Sequence, residues 1–275
     1  MSEVLTNEGV RVKDLSGKVA VITGGASGIG KAMARRFTAD GMQVVIADIE
    51  QSALDATAAE LSIVGVRTDV SSADSVSALA DHVIDRFGTV HLLCNNAGVG
   101  GGGVISGLTL DDWRWVINVN LWGVVHGLHY FLPHLLANSD GGHVVNTASM
   151  AGLTVWPGIG PYNATKFAVV AISETLEAEL HGSGVGVSVL CPGLVNTNIF
   201  TSQRNRPDEL RNAGPNLEAR EISAQVMQQM GIDPNEVADL VSNAVQTEQF
   251  WIFTHRELLQ GVDDRHKRLT TPIDH

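Results

Sequence analysis

The sequence predicts an α/β fold in which one doubly wound parallel sheet of about seven strands carries helices on both faces. Short apolar runs rich in valine and isoleucine alternate with amphipathic stretches along the chain, and this alternation is typical of βαβ units. A glycine-rich turn at residues 24–30 joins the first predicted strand to the first predicted helix. This order of strand, glycine turn and helix is typical of sheets that bind nucleotides.

The predicted elements alternate from one end of the chain to the other. Strands are expected at residues 19–23, 44–48, 63–67, 90–95, 143–147, 185–190 and 250–253. Helices are expected at 29–40, 52–61, 73–87, 110–137, 161–181 and 235–247. No internal repeat or low-complexity linker interrupts this order, so residues 1–275 are predicted to form a single domain.

Segment 196–233 departs from the alternation. It is polar and contains helix-capable stretches near 207–212 and 217–230. An insertion of this length after a strand is interpreted as a lid over a substrate. The last stretch, 255–275, is polar and charged, and it is interpreted as a C-terminal tail without a motif.

The composition is that of an ordinary globular protein, with 44% hydrophobic and 17% charged residues among 275. The formal charge of −12, from 18 basic and 30 acidic residues, disfavours nucleic acid and anionic membranes as partners. The N-terminus has no basic segment followed by an apolar core, and no apolar run reaches the roughly 20 residues of a membrane span. We therefore expect a cytoplasmic protein with a small-molecule substrate.

The metal-binding residue types are sparse in this sequence. Cys94 and Cys191 both lie in apolar, strand-like segments, which predicts buried thiols and not a disulfide or a zinc site. Histidines 126, 129 and 134 share one predicted helix, but no carboxylates stand beside them at ligand spacing. No metal site is predicted, and these histidines are assigned to a helix surface or a subunit interface.

The glycine-rich turn and the second strand indicate a dinucleotide. Gly24, Gly28 and Gly30 would let the backbone approach a pyrophosphate at a helix N-terminus, although the spacing departs from G-x-G-x-x-G and an ordinary glycine turn is the alternative. Asp48 ends the second strand 18 residues after Gly30, where it could accept a hydrogen bond from a ribose 2′-hydroxyl and repel a 2′-phosphate. No arginine flanks Asp48 in sequence, which favours NAD over NADP; a solvated strand end is the alternative.

Tyr162 and Lys166 form a candidate proton-transfer pair. They stand four residues apart on a predicted helix and therefore share a face, where the lysine ammonium would favour the tyrosine phenolate. Ser149 lies 13 residues before Tyr162, just beyond an apolar strand. Tyr-x-x-x-Lys alone is weak evidence, because such pairs occur on many solvated helix faces.

Taken together, these motifs resemble the short-chain dehydrogenase/reductase family in its shorter branch, whose members have a Rossmann fold and usually form tetramers. The resemblance spans most of the chain but does not extend to 255–275. The residues that carry it are Thr23-Gly24-x3-Gly28-x-Gly30, Asn95-Asn96-Ala97-Gly98, Asn120, Ser149, Tyr162-x3-Lys166 and Cys191-Pro192-Gly193 followed by Thr197.

The resemblance implies hydride transfer between the nicotinamide of NAD and a secondary alcohol or ketone. Tyr162 would be the general acid and base, Ser149 would orient the substrate oxygen, and Lys166 would lower the pKa of Tyr162 and hold the nicotinamide ribose. Asn120 would hold a water that links Lys166 to solvent; the alternative is an amide that bends its helix and bonds locally. A homotetramer is implied, with a dimer as the alternative.

The resemblance also implies a set of cofactor contacts. Asp69 would meet the adenine, or it would cap the next turn; the loop that begins at Asn95 would line the cofactor, or it would merely close the fourth strand. The expected cofactor-binding residues are Gly24, Ser27, Gly28, Ile29, Gly30, Asp48, Asp69, Val70, Asn96, Ala97, Gly98, Tyr162, Lys166, Pro192, Gly193, Val195 and Thr197.

The substrate pocket is predicted from apolar residues that neighbour the motifs. The expected members are Met150, Leu153, Trp156, Leu194, Ile199 and Phe200, with the loop 99–104. This set favours an apolar alcohol or ketone, although several members could be plain core, and arginines 204, 206, 211 and 220 leave room for an anionic substrate.

Two other functional classes stay open. One is a catalytically idle NAD-binding sensor or scaffold, which the intact Ser149, Tyr162 and Lys166 disfavour. The other is an NAD-dependent epimerase or dehydratase, which the glycine spacing and the short chain disfavour.

Overall fold

A computed structural model describes residues 14–211 and 229–271. Its centre is a seven-stranded sheet in the order β3-β2-β1-β4-β5-β6-β7, and every neighbouring pair of strands is parallel. The strands are β1 (Val19–Thr23), β2 (Gln43–Asp48), β3 (Val64–Arg67), β4 (Leu92–Asn95), β5 (Gly142–Thr147), β6 (Val185–Cys191) and β7 (Trp251–Phe253).

The sheet is covered on both faces. Alternate residues of β1 point to opposite faces: Ala20 and Ile22 pack with helices at 28–39 and 234–247, whereas Val19 and Val21 pack with helices at 73–87 and 123–137. The helices are α1 (Gly28–Ala39), α2 (Gln51–Leu61), α3 (Ala73–Phe87), α4 (Leu110–Ile117), α5 (Gly123–Ala137), α6 (Gly160–Glu179), α7 (Pro234–Thr247) and α8 (Leu259–Thr270). The predicted doubly wound fold is confirmed.

The predicted boundaries of the strands lie within two residues of the observed ones. The principal difference among the helices is 110–137, predicted as one helix, which is interrupted by a π-helical turn at Asn118–Trp122. The side chain of Asn120 in this turn bonds to the backbone of Val99 instead of facing its own helix. A widened turn of this kind is found most often at functional sites.

The segment predicted as a polar C-terminal tail contains a helix that the sequence did not indicate, α8 at residues 259–270. Its apolar side chains are few, but Leu259 and Val262 pack beside Leu258 against a cluster that contains Val169 and Val189. The guanidinium of Arg265 also lies 5.1 Å from the ring centroid of Phe167. This stripe is too narrow to stand out in a polar sequence.

The described residues include only part of the predicted lid. Two 3₁₀-helices lie there, Ile199–Asn205 and Asp208–Leu210, and the second falls within the stretch 207–212 that the sequence suggested as helical. Most of the second suggested stretch, 217–230, lies outside the described residues. In the described part of the chain, no helix combines the length and the apolar character that crossing a membrane would require.

Candidate active site

The strand order reverses beside β1, whose two neighbours are β2 and β4. In such sheets the crevice at the carboxyl ends of these strands is the place where ligands bind. The turn after β1 and the loop after β4 meet there so closely that a Cβ on Gly24 would lie 2.8 Å from the Cα of Ala97. Gly24 also has a φ of +64°, which favours glycine.

Gly30 brings the start of α1 against the same turn. A Cβ at this position would lie 2.1 Å from the carbonyl oxygen of Gly24 and 2.7 Å from Nδ2 of Asn96. Only glycine permits this approach. Gly28 and Ile29, at the start of α1, line the crevice, and the first turn of a helix has free N–H groups. A pyrophosphate at this position stays a prediction.

Thr23 and Asn96 fix the loop after β4. Oγ1 of Thr23 accepts hydrogen bonds from the backbone N–H groups of Asn96 and Ala97, at 2.9 and 3.0 Å. Nδ2 of Asn96 donates to the carbonyl of Thr23 at 3.0 Å. The Asn95-Asn96-Ala97-Gly98 loop is thus held by side chains, which agrees with a structural role beside a cofactor.

Asp48 and Asp69 lie at the ends of β2 and β3. The carboxylate of Asp48 accepts hydrogen bonds from the backbone N–H groups of Ala26 and Glu50, both at 3.1 Å. Burial raises the pKa of Asp48, and these two donors oppose that rise. Asp69 accepts from the N–H and the hydroxyl of Ser71, so it caps the turn, as one of its two predicted roles requires.

These groups line a channel of about 200 Å³. Every predicted cofactor-binding residue except Gly30 lines it, and Gly30 lies behind the turn that it allows to form. Among the further residues that line the channel, and that the sequence did not assign to the cofactor, are Glu50, Arg204 and Asn205. Glu50 could have been found from its position two residues after Asp48. Arg204 and Asn205 could not, because they belong to a segment that is distant in sequence.

Ser149, Tyr162 and Lys166 meet at one end of the channel. Ser149 and Tyr162 both line this end, and the Lys166 ammonium lies 5.5 Å from the tyrosine ring centroid. Burial raises the pKa of the Tyr162 hydroxyl, and the nearby Ser149 hydroxyl opposes the rise. The expected lowering of the Tyr162 pKa by Lys166 is therefore not seen in the chain alone. Burial has the larger effect, and the ammonium lies against the ring of Tyr162.

Lys166 is fully buried, and its ammonium donates to the carbonyl of Thr147 at 2.8 Å. Burial lowers its pKa from 10.5 to about 8. Because the folded-state pKa lies below the unfolded one, the charged lysine costs stability below about pH 8, and that cost disappears as the pH rises toward 10.5. The cost is about 3 kcal/mol at neutral pH. A lysine retained at such a cost is typical of functional sites.

Asn120 does not satisfy itself within its own helix. Its side chain accepts from the N–H of Val99 at 2.8 Å and donates to the carbonyl of the same residue at 3.0 Å. A Cβ placed on Gly98 would lie 3.5 Å from Oδ1 of Asn120 and 3.7 Å from Nζ of Lys166. The amide and the ammonium therefore border the same small space beside Gly98.

A second, apolar cavity of about 580 Å³ meets the channel. Five residues line both spaces: Ser149, Tyr162, Pro192, Gly193 and Ile199. Of the predicted pocket residues, Met150, Trp156, Leu194, Ile199 and Phe200 line the cavity, as do Gly100, Gly101, Gly102, Gly103 and Val104 of the loop. Leu153 and Val99 do not: Leu153 packs into the core cluster around Met150, and Val99 lines the channel.

The cavity has a wall that the sequence did not indicate. Leu258, at the foot of α8, lines it, as do Ile159 and the half-buried amide side chain of Gln203. The lid and the glycine loop are tied together, because Oγ of Ser202 accepts from the N–H of Gly100 at 3.0 Å. Segments from four parts of the chain thus enclose the space beside Ser149 and Tyr162.

Comparison with known proteins agrees with this geometry. Residues 18–208 match the family described as short chain dehydrogenase. The chain belongs to this family. A crystal structure of a short chain dehydrogenase/reductase from Burkholderia phymatum in complex with NAD matches with a TM-score of 0.90 and 41% identity, over 95% of this chain and 99% of that one.

Two curated relatives extend over nearly the whole of this short chain dehydrogenase. C alpha-dehydrogenase of Sphingobium sp. (strain NBRC 103272 / SYK-6) is 34% identical over 95% of this chain and 88% of the relative. The 1-deoxy-11-beta-hydroxypentalenate dehydrogenase of Streptomyces exfoliatus is 36% identical over 94% and 92%. The predicted family, its fold and the predicted class of enzyme are confirmed.

The remaining predicted positions of this short chain dehydrogenase have no assigned part in the reaction, although Cys191 lies close to Lys166. Cys94 and Cys191 are buried and free, as predicted. His126 stacks on Trp122, and His129 contacts Tyr130 edge-on, so both belong to the α5 surface. Within residues 14–211 and 229–271, no group of three or more His, Cys, Asp or Glu gathers in a way that could hold a metal ion.

Proposed function

We propose that this chain interconverts a bulky, neutral secondary alcohol and its ketone, with NAD as the cofactor and Tyr162 as the general acid and base. The observation that carries the proposal is the junction of the two spaces. The cofactor channel and the apolar cavity meet at Ser149 and Tyr162, which line both. A substrate in the cavity would present its oxygen to these hydroxyls and its carbinol carbon to the channel.

The channel residues fit a dinucleotide. The close approach at Gly24 and Gly30 leaves room for a pyrophosphate at the start of α1, and Asp48 offers carboxylate oxygens to a ribose. When bound, NAD supplies the hydride acceptor and a positively charged ring near Tyr162. This charge favours the phenolate, and it opposes the rise in pKa that burial alone produces.

The proton follows the substrate oxygen. Ser149 and Tyr162 would both hydrogen-bond to this oxygen; Tyr162 accepts its proton in oxidation and returns one in reduction. The Lys166 ammonium, held by the carbonyl of Thr147, would bind the nicotinamide ribose. A water beside Gly98 would lie within reach of both Lys166 and Asn120, which supports the proposed path of the proton to solvent.

The charges around the cavity favour a neutral substrate. Arg204 pairs with Glu50 on the channel side, Arg206 is buried against Asp112 and Trp115, and Arg211 pairs with Asp208. None of these three lines the cavity as the described residues form it, and Arg220 lies outside those residues. The volume of about 580 Å³ and the apolar walls suit a polycyclic or aromatic alcohol, within the usual range of ligand pockets.

Turnover by a Tyr162→Phe variant tests the proposal. We would measure NAD reduction by the purified protein with cyclic, aromatic and steroidal secondary alcohols, with NADP in parallel. The variant should bind NAD with unchanged affinity and lose turnover by about a thousandfold, because general acid and base catalysis is removed. Tyr130→Phe changes the other of the two tyrosines and should keep full activity.

Activity retained by Tyr162→Phe would overturn the assigned role. NAD binding without turnover of any alcohol would instead favour the idle sensor.

The proposal extends to assembly and location. We propose a homotetramer in the cytoplasm. Trp122, at the end of the π-helical turn, and Leu136, on α5, are about half exposed, at 49% and 47%, which is consistent with this face packing against another subunit. Light scattering should give the mass of four chains of 29.2 kDa each; the mass of two would leave the dimer.

A further inference from the structure

An ion pair crosses the channel at the end that holds Asp48. Nε and Nη2 of Arg204 donate to the two carboxylate oxygens of Glu50, at 3.2 and 2.6 Å. Nδ2 of Asn205 donates to Oε1 of the same carboxylate at 2.7 Å. Glu50 follows β2, whereas Arg204 and Asn205 belong to the lid 3₁₀-helix, so the pair joins opposite sides of the channel.

Glu50 is also in contact with the ribose-binding carboxylate. Its backbone N–H donates to Oδ1 of Asp48 at 3.1 Å, and Asp48, Glu50 and Arg204 all line the channel. An arginine therefore does lie at this end, although none flanks Asp48 in sequence. Two carboxylates and one guanidinium are gathered where the adenosine ribose is expected.

The guanidinium of Arg204 donates four hydrogen bonds. Besides its two bonds to Glu50, its Nη1 donates to the hydroxyl of Thr201 at 3.0 Å and to the carbonyl of Asn198 at 3.4 Å. The pair is nevertheless open to water, with 38% of the Arg204 side chain and 28% of the Glu50 side chain exposed. A pair this exposed adds little to the stability of the fold, so its effect on the neighbouring ligand is the more important consequence.

We propose that Glu50 is a second cofactor-selecting residue, which acts by holding Arg204 away from a 2′-phosphate; this rests on the NAD-dependent function proposed above. A 2′-hydroxyl needs only the hydrogen bond to Asp48. A 2′-phosphate would meet the charges of Asp48 and Glu50, and Arg204 could compensate them only by leaving Glu50. The preference for NAD thus depends on two carboxylates and not on Asp48 alone.

Binding of cofactor fragments tests the proposal without any need for turnover. Calorimetry would compare adenosine 2′,5′-bisphosphate with adenosine 5′-monophosphate on the full chain and on Asp48→Ala, Glu50→Gln and the double variant. In the Asp48→Ala background, Glu50→Gln should raise the preference for the 2′-phosphate by about tenfold, the usual size of one charge-assisted contact. Adding Arg204→Gln should remove that gain.

Glu60→Gln is the matched control. Glu60 pairs with Lys31 and Arg35, so its substitution also removes one negative charge from an exposed ion pair, but Glu60 does not line the channel. It should leave the preference unchanged. Glu50→Ala, which cannot hold the guanidinium at all, should shift the preference in the same direction as Glu50→Gln.

Two results would overturn the proposal. One is an equal change in the binding of both fragments, which would mean that the ion pair only closes the channel. The other is a gain that survives Arg204→Gln, which would mean that lost repulsion alone is responsible. If the fragment data agree but no alcohol is turned over with either cofactor, the proposed function fails while the selecting role of Glu50 stands.

Discussion

The cofactor channel and the substrate cavity share Ser149 and Tyr162 but are built in different ways. The glycine turn of the channel is backbone that approaches backbone, as at Gly30, where a single Cβ would collide with the carbonyl of Gly24. The cavity is enclosed by side chains from the glycine loop, the lid and the foot of α8. A backbone surface tolerates almost no change, whereas a side-chain surface can change with the substrate.

The difference predicts where substitutions act. Changes in the glycine turn should weaken cofactor binding whatever the substrate. Changes in the cavity should alter which alcohol is accepted and leave NAD binding intact. Changes that detach the lid from the rest of the fold should have the largest effect, because lid residues line both the channel and the cavity.

The largest expected effect is on the attachment of the lid. Arg206 and Asp112 form a buried pair at 2.7 Å with 2% and 9% of their side chains exposed, and the guanidinium also lies over the ring of Trp115. Within the described residues, Nε and Nη2 of Arg206 have no hydrogen-bond partner, so the charge of the arginine depends heavily on this carboxylate. Asp112→Asn should lower the free energy of unfolding by about 3–5 kcal/mol, measured by denaturant titration.

The neighbouring residue provides the control for that experiment. Asp111 pairs with Arg114 at the surface, where 40% and 60% of the side chains are exposed. Asp111→Asn removes the same charge one position away and should cost less than about 1 kcal/mol. Equal losses in the two variants would show that burial of the Arg206 pair does not hold the lid.

The second expected effect is on the backbone of the channel. Gly30→Ala would place a Cβ against a carbonyl and an asparagine amide that are both fixed, so the turn must shift. NAD binding should weaken by about a hundredfold, the equivalent of about 3 kcal/mol of overpacking strain, as measured by calorimetry. Thermal unfolding would check that the variant is folded.

Gly107→Ala is the matched substitution, because a Cβ at Gly107 meets nothing within 4 Å. It should bind NAD as the unchanged chain does. An affinity for NAD that is unaltered in Gly30→Ala would mean that the turn is not the pyrophosphate site.

The same contrast explains what the sequence could predict. The seven strands, the glycine turn and the Tyr162–Lys166 pair are local patterns, because strand periodicity, glycine and i,i+4 spacing act over a few residues. The wall formed by Leu258 and the pairing of Arg204 with Glu50 are contacts between distant segments. The burial that raises the pKa of Tyr162 is likewise set by the whole fold and not by neighbouring residues in sequence.

Asn120 lies between these two cases. Its position in the middle of a predicted helix signals an unusual residue, because asparagine is a poor helix former. Only the fold shows that its amide bonds to Val99 and that the helix opens into a π-helical turn to allow it. The sequence therefore identifies the residue but not the contact.

The smallest expected effect is on the choice of substrate. Leu258→Ala removes part of the cavity wall and should lower kcat/KM for a bulky apolar alcohol by about fivefold, which corresponds to lost contact with roughly one methylene group at about 0.8 kcal/mol. The KM for NAD and the activity on a small alcohol such as 2-butanol should not change. Leu269 lies on α8 itself but is 67% exposed. Leu269→Ala should therefore leave kcat/KM for the bulky alcohol, the KM for NAD and the activity on the small alcohol unaltered. An equal loss for the bulky and the small alcohol would mean that Leu258 supports the fold of α8 and does not shape the cavity, so the contrast between the two surfaces would not extend to this wall.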